Sequence, residues 1–310
     1  MNDELQRQVL TDILTANLKE QRRARRWGIF FKLLTLLWLF LLLLIGAGLT
    51  GQDHPEDAAA PHTALVNLDG MIAAGGDVDS EMMLEGLKAA FDNKNTRAVI
   101  VRANSPGGSP VQAGIINDEM RRLRKKHPKV PLYVVIEDVC ASGCYYVAAA
   151  ADKIFADKAS MVGSIGVLMD GFGFTGAMEK LGVERRLLTA GENKGFLDPF
   201  SPLKDAQRGK AQRMLDEVHQ QFIEIVKAGR GKKLANDPDL FSGLVWSGAA
   251  AQKLGLIDEF GSLESVARDV VRQENIVDFT PKPSWADRVA RQIGVGAAAK
   301  LGTELNLKMR

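Results

Sequence analysis

The sequence predicts an α/β fold with a largely parallel sheet covered on both faces by helices. Three observations predict it. Apolar, β-branched runs alternate with stretches of helical periodicity along the chain. The runs are almost wholly apolar, as in strands buried on both faces. Turns rich in small residues follow two of the runs, Asn104–Pro110 and Ala141–Gly143, where an open α/β sheet places its ligands.

The elements justify themselves in order. "KEQRRARRWG" carries five basic residues between Lys19 and Arg26, and an apolar run, Trp27 to Thr50, follows with one charge, Lys32. About 20 apolar residues span a bilayer as a helix, so residues 1–26 read as a cytoplasmic basic N-terminus and 27–50 as a transmembrane helix. The arginines stay inside and send the C-terminal bulk across, with Trp27 as an interfacial anchor. A cleaved signal peptide is the alternative, although its apolar stretch is usually shorter than this one. Residues 51–62 read as a polar linker. Then come a strand at Thr63–Ile72, a helix at Asp79–Asn93, a strand at Thr96–Gly108 and a helix at Ser109–His127. A strand at Lys129–Val139 leads into the serine turn and a small-residue helix. "DKIFADK" and "VERRLLTAG" (Val183–Gly191) read as later strands, and Lys204–Gly231 as a long amphipathic helix. The folded domain is expected over 63–275. A basic tail, 276–310, is read as a membrane-surface segment, a subunit contact or a loose end.

Net charge is only +2, so nothing in the overall balance favours nucleic acid. No metal-ligand spacing of the His-Glu-x-x-His type and no nucleotide-binding motif occurs, so neither metal nor other cofactor is expected. The two cysteines, Cys140 and Cys144, flank Ser142. They read either as a disulfide of an oxidising compartment or as two small buried apolar side chains.

Ser142 stands where a strand passes into a helix. It reads as a nucleophile or as a plain helix cap. A nucleophilic serine needs a base, but none of the four histidines (His54, His62, His127, His219) sits in a motif. A lysine is the other known base. It must be neutral to act, which burial in an apolar site promotes. Lys194, with Phe196, Leu197 and Phe200 close behind, is the best placed; Lys153 and Lys158 each adjoin an aspartate that would keep them charged. Oxyanion donors are expected from Asn104–Pro110, where Gly107 and Gly108 let the backbone approach a ligand closely.

Taken in order, "NSPGG", "ASGCYYVAAAADKIFA", "GSIGV" and a lysine after "TAG" make the chain resemble the SppA-type signal peptide peptidases, in their short membrane-anchored bacterial form, over residues 60–275. The resemblance implies a ClpP/crotonase-like fold and a Ser-Lys dyad, with Ser142 as nucleophile and Lys194 as general base. It implies oxyanion donors at Gly108 and Gly143, with Ser164 orienting the lysine. It implies remnant signal peptides as substrates, and a homo-oligomer of eight or four subunits whose dyad is shared between neighbours. It places the catalytic domain outside the inner membrane. The family usually has a second glycine where Cys144 stands. A related membrane-bound protease of the SohB-like or NfeD-linked type is the nearest alternative. A non-catalytic scaffold and a crotonase-type acyl-CoA enzyme are more distant ones.

Overall fold

The computed structural model describes residues 2–49 and 56–281, with side chains of the first helix described at Thr15 and residues 19–42. Two units separate. One contains the N-terminal segment, and the other runs from Pro55 to Pro281.

In the first unit a single helix, α1, spans Asn2–Leu49. Its described apolar face includes Trp27, Phe30, Phe31, Leu36 and Trp38, all exposed. Among the described residues no helix is long and apolar enough to cross a membrane. The expected span, Trp27 to Thr50, extends past the last described side chain of this helix, and Thr50 lies outside the described residues.

In the second unit the expected alternation is built as eight strands in one sheet. The strands are β1 (His62–Asp69), β2 (Thr96–Ser105), β3 (Leu132–Ala141), β4 (Lys153–Ala156), β5 (Met161–Gly163), β6 (Val245–Ser247), β7 (Glu259–Phe260) and β8 (Ile276–Asp278). Their main order is β6-β5-β3-β2-β1-β8, with β4 pairing β3 and β7. Every pairing is parallel except β5 with β6. β3 is shared: its first half pairs with β4 and its last three residues with β5. The strand therefore splits two neighbours apart just before Ser142.

The helices are α2 (Ser80–Asp92), α3 (Pro110–Lys126), α4 (Gly143–Ala148), α5 (Thr175–Lys180), α6 (Asp205–Arg230), α7 (Gly248–Lys253) and α8 (Leu263–Ser265), the last continuing as one π-helical stretch, Val266–Val271. Their starts follow local chemistry. The Asp79 carboxylate accepts the Glu81 N–H at α2, and the Ser109 hydroxyl caps α3 with Pro110 in its first turn, where a proline loses no hydrogen bond. Alternate residues of β1 supply two cores. Ala64, Val66 and Leu68 join the large one beneath the helices, and Leu65 joins a smaller one with Ile100, Val135, Phe155, Leu263 and Val266.

One expected strand is absent. Residues 183–189 are not in the sheet, and the stretch from Val183 to Gly191 is exposed. A strand needs a neighbouring strand for its N–H and C=O groups, and among the described residues this segment pairs with none, its Val183 N–H donating instead to the Met178 carbonyl at 2.9 Å. Four short strands were not legible in advance. β5, β6, β7 and β8 have two or three residues each, too few to show periodicity.

Candidate active site

β3 ends at Ala141 and the chain turns into α4 through Ser142. The serine adopts φ 53° and ψ −124°, a region that residues with a Cβ rarely enter. Its N–H donates to the Gly163 carbonyl at 2.8 Å, and its carbonyl accepts the Tyr146 N–H at 3.0 Å. Ser142 occupies the cap position of α4, yet its side chain makes no capping hydrogen bond. The hydroxyl is half-buried and uncommitted, unlike those of Ser109 and Ser247, which do cap their helices.

The loop after β2 packs directly on this turn. Gly107 has φ 98° and Gly108 φ 147°, conformations reserved in practice for glycine. A Cβ on Gly107 would stand 2.6 Å from both the Ala141 oxygen and the Gly143 nitrogen, and one on Gly143 would stand 3.2 Å from the Gly108 nitrogen. The loop is braced on its far side. The Ile72 N–H donates to the Gly107 carbonyl at 2.9 Å, the Ser109 N–H donates to Ile72 at 2.8 Å, and the Ser105 hydroxyl accepts the Gly107 N–H at 3.1 Å. Among the described residues neither the Gly108 nor the Gly143 N–H donates to another backbone or side-chain group. Two free donors therefore flank an uncommitted hydroxyl, an arrangement suited to holding an oxyanion.

Gly107→Ala is expected to push this loop off the turn and carry the Gly108 N–H with it. Losing one oxyanion donor lowers turnover by roughly 10²–10³-fold. Peptide hydrolysis measured beside a melting curve checks this, and wild-type turnover in a folded variant would refute it.

Ser164 is brought close through the backbone. It follows Gly163, the acceptor for the Ser142 N–H, and its own N–H donates to Leu244 at 2.8 Å. It too has positive φ, 50°. Among the described residues Lys194 makes no hydrogen bond to Ser142. It lies in the turns of residues 191–197, exposed. Among the described residues its ammonium makes no hydrogen bond or ion pair. Among the described residues the apolar pocket expected around it is not formed. Instead, the stretch between β5 and α6 exposes Leu168, Phe172, Leu181 and Leu188, the last of them 96% exposed. That stretch holds its own shape. The Arg185 guanidinium pairs with Asp198 at 3.1 Å and lies over Phe200, and Phe174 stacks on Phe200. The Ser201 hydroxyl and the Phe200 N–H, with Arg185, hold the Asp198 carboxyl below its ordinary value.

The rival bases have other partners. Lys153 donates to Glu259 at 2.7 Å, which holds its ammonium above the ordinary lysine value. Its expected neighbour Asp152 instead receives Arg124 and the Leu132 N–H. Lys158 lies over the Phe260 ring. His62 is buried against Thr96, and His127 stands 3.4 Å from Asp92. His219 on α6 donates to the Ile165 carbonyl at 3.0 Å, one residue beyond Ser164. This neighbour of the site was not foreseen, because its sequence surroundings are those of a solvated helix face. His54 lies outside the described residues.

Cys140 and Cys144 are joined by a disulfide, with Cα atoms 5.1 Å apart, and both residues are fully buried. The two readings of these cysteines thus combine, since they are buried and bonded. Behind them the Tyr145 hydroxyl donates to the Leu256 carbonyl at 2.7 Å and ties α4 to the core. Burial pushes this phenol's pKa up.

Comparison with known proteins places these features in context. Residues 124–277 match the model of peptidase family S49, a span that includes Ser142, Ser164 and Lys194 and begins after Gly108. The chain is 46% identical over 230 residues to a protein of Brucella abortus named Na(+)/H(+) antiporter NhaA, a match covering 71% of this chain and 31% of that protein. It is 34% identical to Protease 4 of Haemophilus influenzae, covering 77% of this chain and 40% of that one. It is 27% identical to a putative signal peptide peptidase SppA of Enterococcus faecium, covering 75% and 69%. The chain thus spans under a third of the length of the Brucella relative.

Proposed function

We propose that this chain, which belongs to peptidase family S49 by its residues 124–277, is a membrane-anchored serine endopeptidase that cleaves remnant signal peptides with a Ser142–Lys194 dyad. The observation that carries the reading is the Ser142 turn, where a hydroxyl without a capping bond sits between two free backbone N–H groups. In this reading neutral Lys194 takes the hydroxyl proton as Oγ attacks the scissile carbonyl. The Gly108 and Gly143 N–H groups hold the resulting oxyanion. The lysine then protonates the leaving amine, and water hydrolyses the acyl-enzyme by the same path in reverse. Ser164 keeps the amine in line.

Lys194 is supplied by a neighbouring copy. The support is that Lys194 is exposed on an apolar stretch whose segment 183–189 finds no sheet partner among the described residues. Docking on a second subunit would bury that stretch and dry the lysine, which favours its neutral form. The assembly is a homo-oligomer of eight or four ClpP/crotonase-like subunits. The basic cluster before Trp27 keeps the N-terminus in the cytoplasm and places the catalytic unit on the other side of the inner membrane, where spent signal peptides are met. No cofactor is required by these steps.

The test uses the full chain in detergent and a synthetic signal peptide. Ser142→Ala and Lys194→Ala should each be inactive alone. Equal amounts mixed before assembly should recover about a quarter of wild-type activity, the chance that a shared site draws both intact groups. Inactive mixtures that still assemble would place the dyad within one subunit. Activity in Ser142→Ala alone would remove the nucleophile assignment. Preference for an intact membrane protein over the signal peptide would favour the SohB-like reading.

A further inference from the structure

The disulfide closes a five-residue ring, Cys140 to Cys144, with Ser142 at its centre and the Gly143 N–H inside it. We infer that this bond is a positioning clamp for the nucleophile, so that the peptidase reaches full activity only after its two thiols are oxidised. The inference rests on the reading of Ser142 as nucleophile.

The geometry gives the clamp something to do. Ser142 holds φ 53° without being glycine, a conformation that persists only where the surroundings over-determine it. Its own restraints are few. One hydrogen bond runs from its N–H to Gly163, and its carbonyl receives Tyr146. The helix that follows has six residues, too short to hold its first turn rigidly by its own hydrogen bonds. Cys140 is fixed on the strand side, registered against Ser105 of β2 and Val162 of β5. Cys144 lies in the first turn of α4. A covalent bond between them ties helix start to strand end and opposes relaxation of the serine to negative φ. That relaxation would move Oγ and the Gly143 N–H together, and so would disturb both halves of the chemistry.

Both cysteines are 0% exposed, so the bond is protected from reductants once the domain is folded. It is made when two thiols lose two electrons and two protons to an external disulfide, which is itself reduced to two thiols. Such oxidants act on the outer side of the cytoplasmic membrane, while the cytosol keeps thiols reduced. A chain still in the cytoplasm therefore carries an unclamped serine, and export completes the active site.

The experiment compares wild type, Cys140→Ala/Cys144→Ala and Ser142→Ala as full chains, with signal-peptide hydrolysis, melting and the rate of labelling by a fluorophosphonate. The double variant should melt cooperatively, lose at least about tenfold in kcat with KM changed little, and label more slowly in proportion, the pattern of a lost transition-state arrangement. Wild-type kcat and labelling in the folded double variant would overturn the clamp. If the double variant fails to melt cooperatively, wild type refolded with and without a dithiol decides. The reduced form should be folded and slow, and unfolding it and refolding it with glutathione disulfide should restore activity; equal activity in both forms overturns the clamp. Hydrolysis or labelling by Ser142→Ala would instead refute the nucleophile reading, a separate result.

Discussion

Ser142→Gly is expected to abolish peptide hydrolysis and to raise the melting temperature of the same protein. The first effect follows from the chemistry. Removing a nucleophile of this kind lowers turnover by at least ~10⁴-fold, leaving what binding and oxyanion donors alone provide. The second follows from the backbone. Ser142 holds φ 53° and ψ −124°, and a residue with a Cβ is strained there by about 1–3 kcal/mol. Glycine relieves that strain but has more conformational freedom to lose on folding, about 0.5–1 kcal/mol. The balance is a gain of roughly 1 kcal/mol, or about 2–4 °C for a domain of this size. Ser142→Ala keeps the Cβ and should show the loss of activity without the gain. Peptide hydrolysis and thermal melting of both variants check this. If the glycine variant melts lower than wild type, the turn is not strained in the way described.

Asp258→Asn should be the most destabilising conservative change in the catalytic unit. Arg230 is 3% exposed. It donates to Asp258 at 2.7 Å and to the Gly255 carbonyl at 2.9 Å. Asp258 also receives Lys233 at 2.6 Å and the Ile154 N–H at 2.8 Å, so one carboxylate ties α6, β4 and the segment before β7. Breaking a buried pair leaves the arginine uncompensated and costs about 3–5 kcal/mol, or roughly 6–20 °C in melting temperature. Burial by itself would push the Asp258 carboxyl up, but the hydrogen bonds from Arg230, Lys233 and Ile154 outweigh it and hold the pKa below its ordinary value. The sign is therefore that of a depressed acid. The stabilisation is complete above the unfolded-state value, about 3.9, and is lost as pH falls through the lower folded value. The gap between wild type and variant should stay constant from about pH 5 to 8 and close below about pH 4. A gap that does not close on acidification would show that the carboxylate charge is not what stabilises this junction.

Much of the fold was legible in sequence because parallel strands buried on both faces must be apolar nearly throughout. The runs beginning at Thr63, Thr96 and Lys129 became β1, β2 and β3 with small shifts at their ends. α2 and α3 declared themselves through their helical periodicity, and Asp79 and Ser109 cap them. The segment Val183–Gly191 looked like a strand by the same rule, since composition reports a preference for extended backbone and not whether a partner is available. Cys140 and Cys144 left bonding undecided, because four residues of spacing permit a bridge only if the turn brings the side chains together.

What the sequence by itself determined is the scaffold and the chemical types at its strand ends: a hydroxyl after β3, paired glycines after β2, and a lysine among aromatic residues. Each follows from local pattern, which depends on neighbours a few residues away. Tertiary structure alone decided that Gly107 and Gly108 lie against Ser142, that Ser164 reaches it through Gly163, that the two thiols meet, and that Lys194 is exposed. Those relations join residues from Gly107 to Ser164. They depend on strand order, on β3 dividing its pairing between β4 and β5, and on which surfaces the chain leaves open, none of which is carried by any short stretch of sequence.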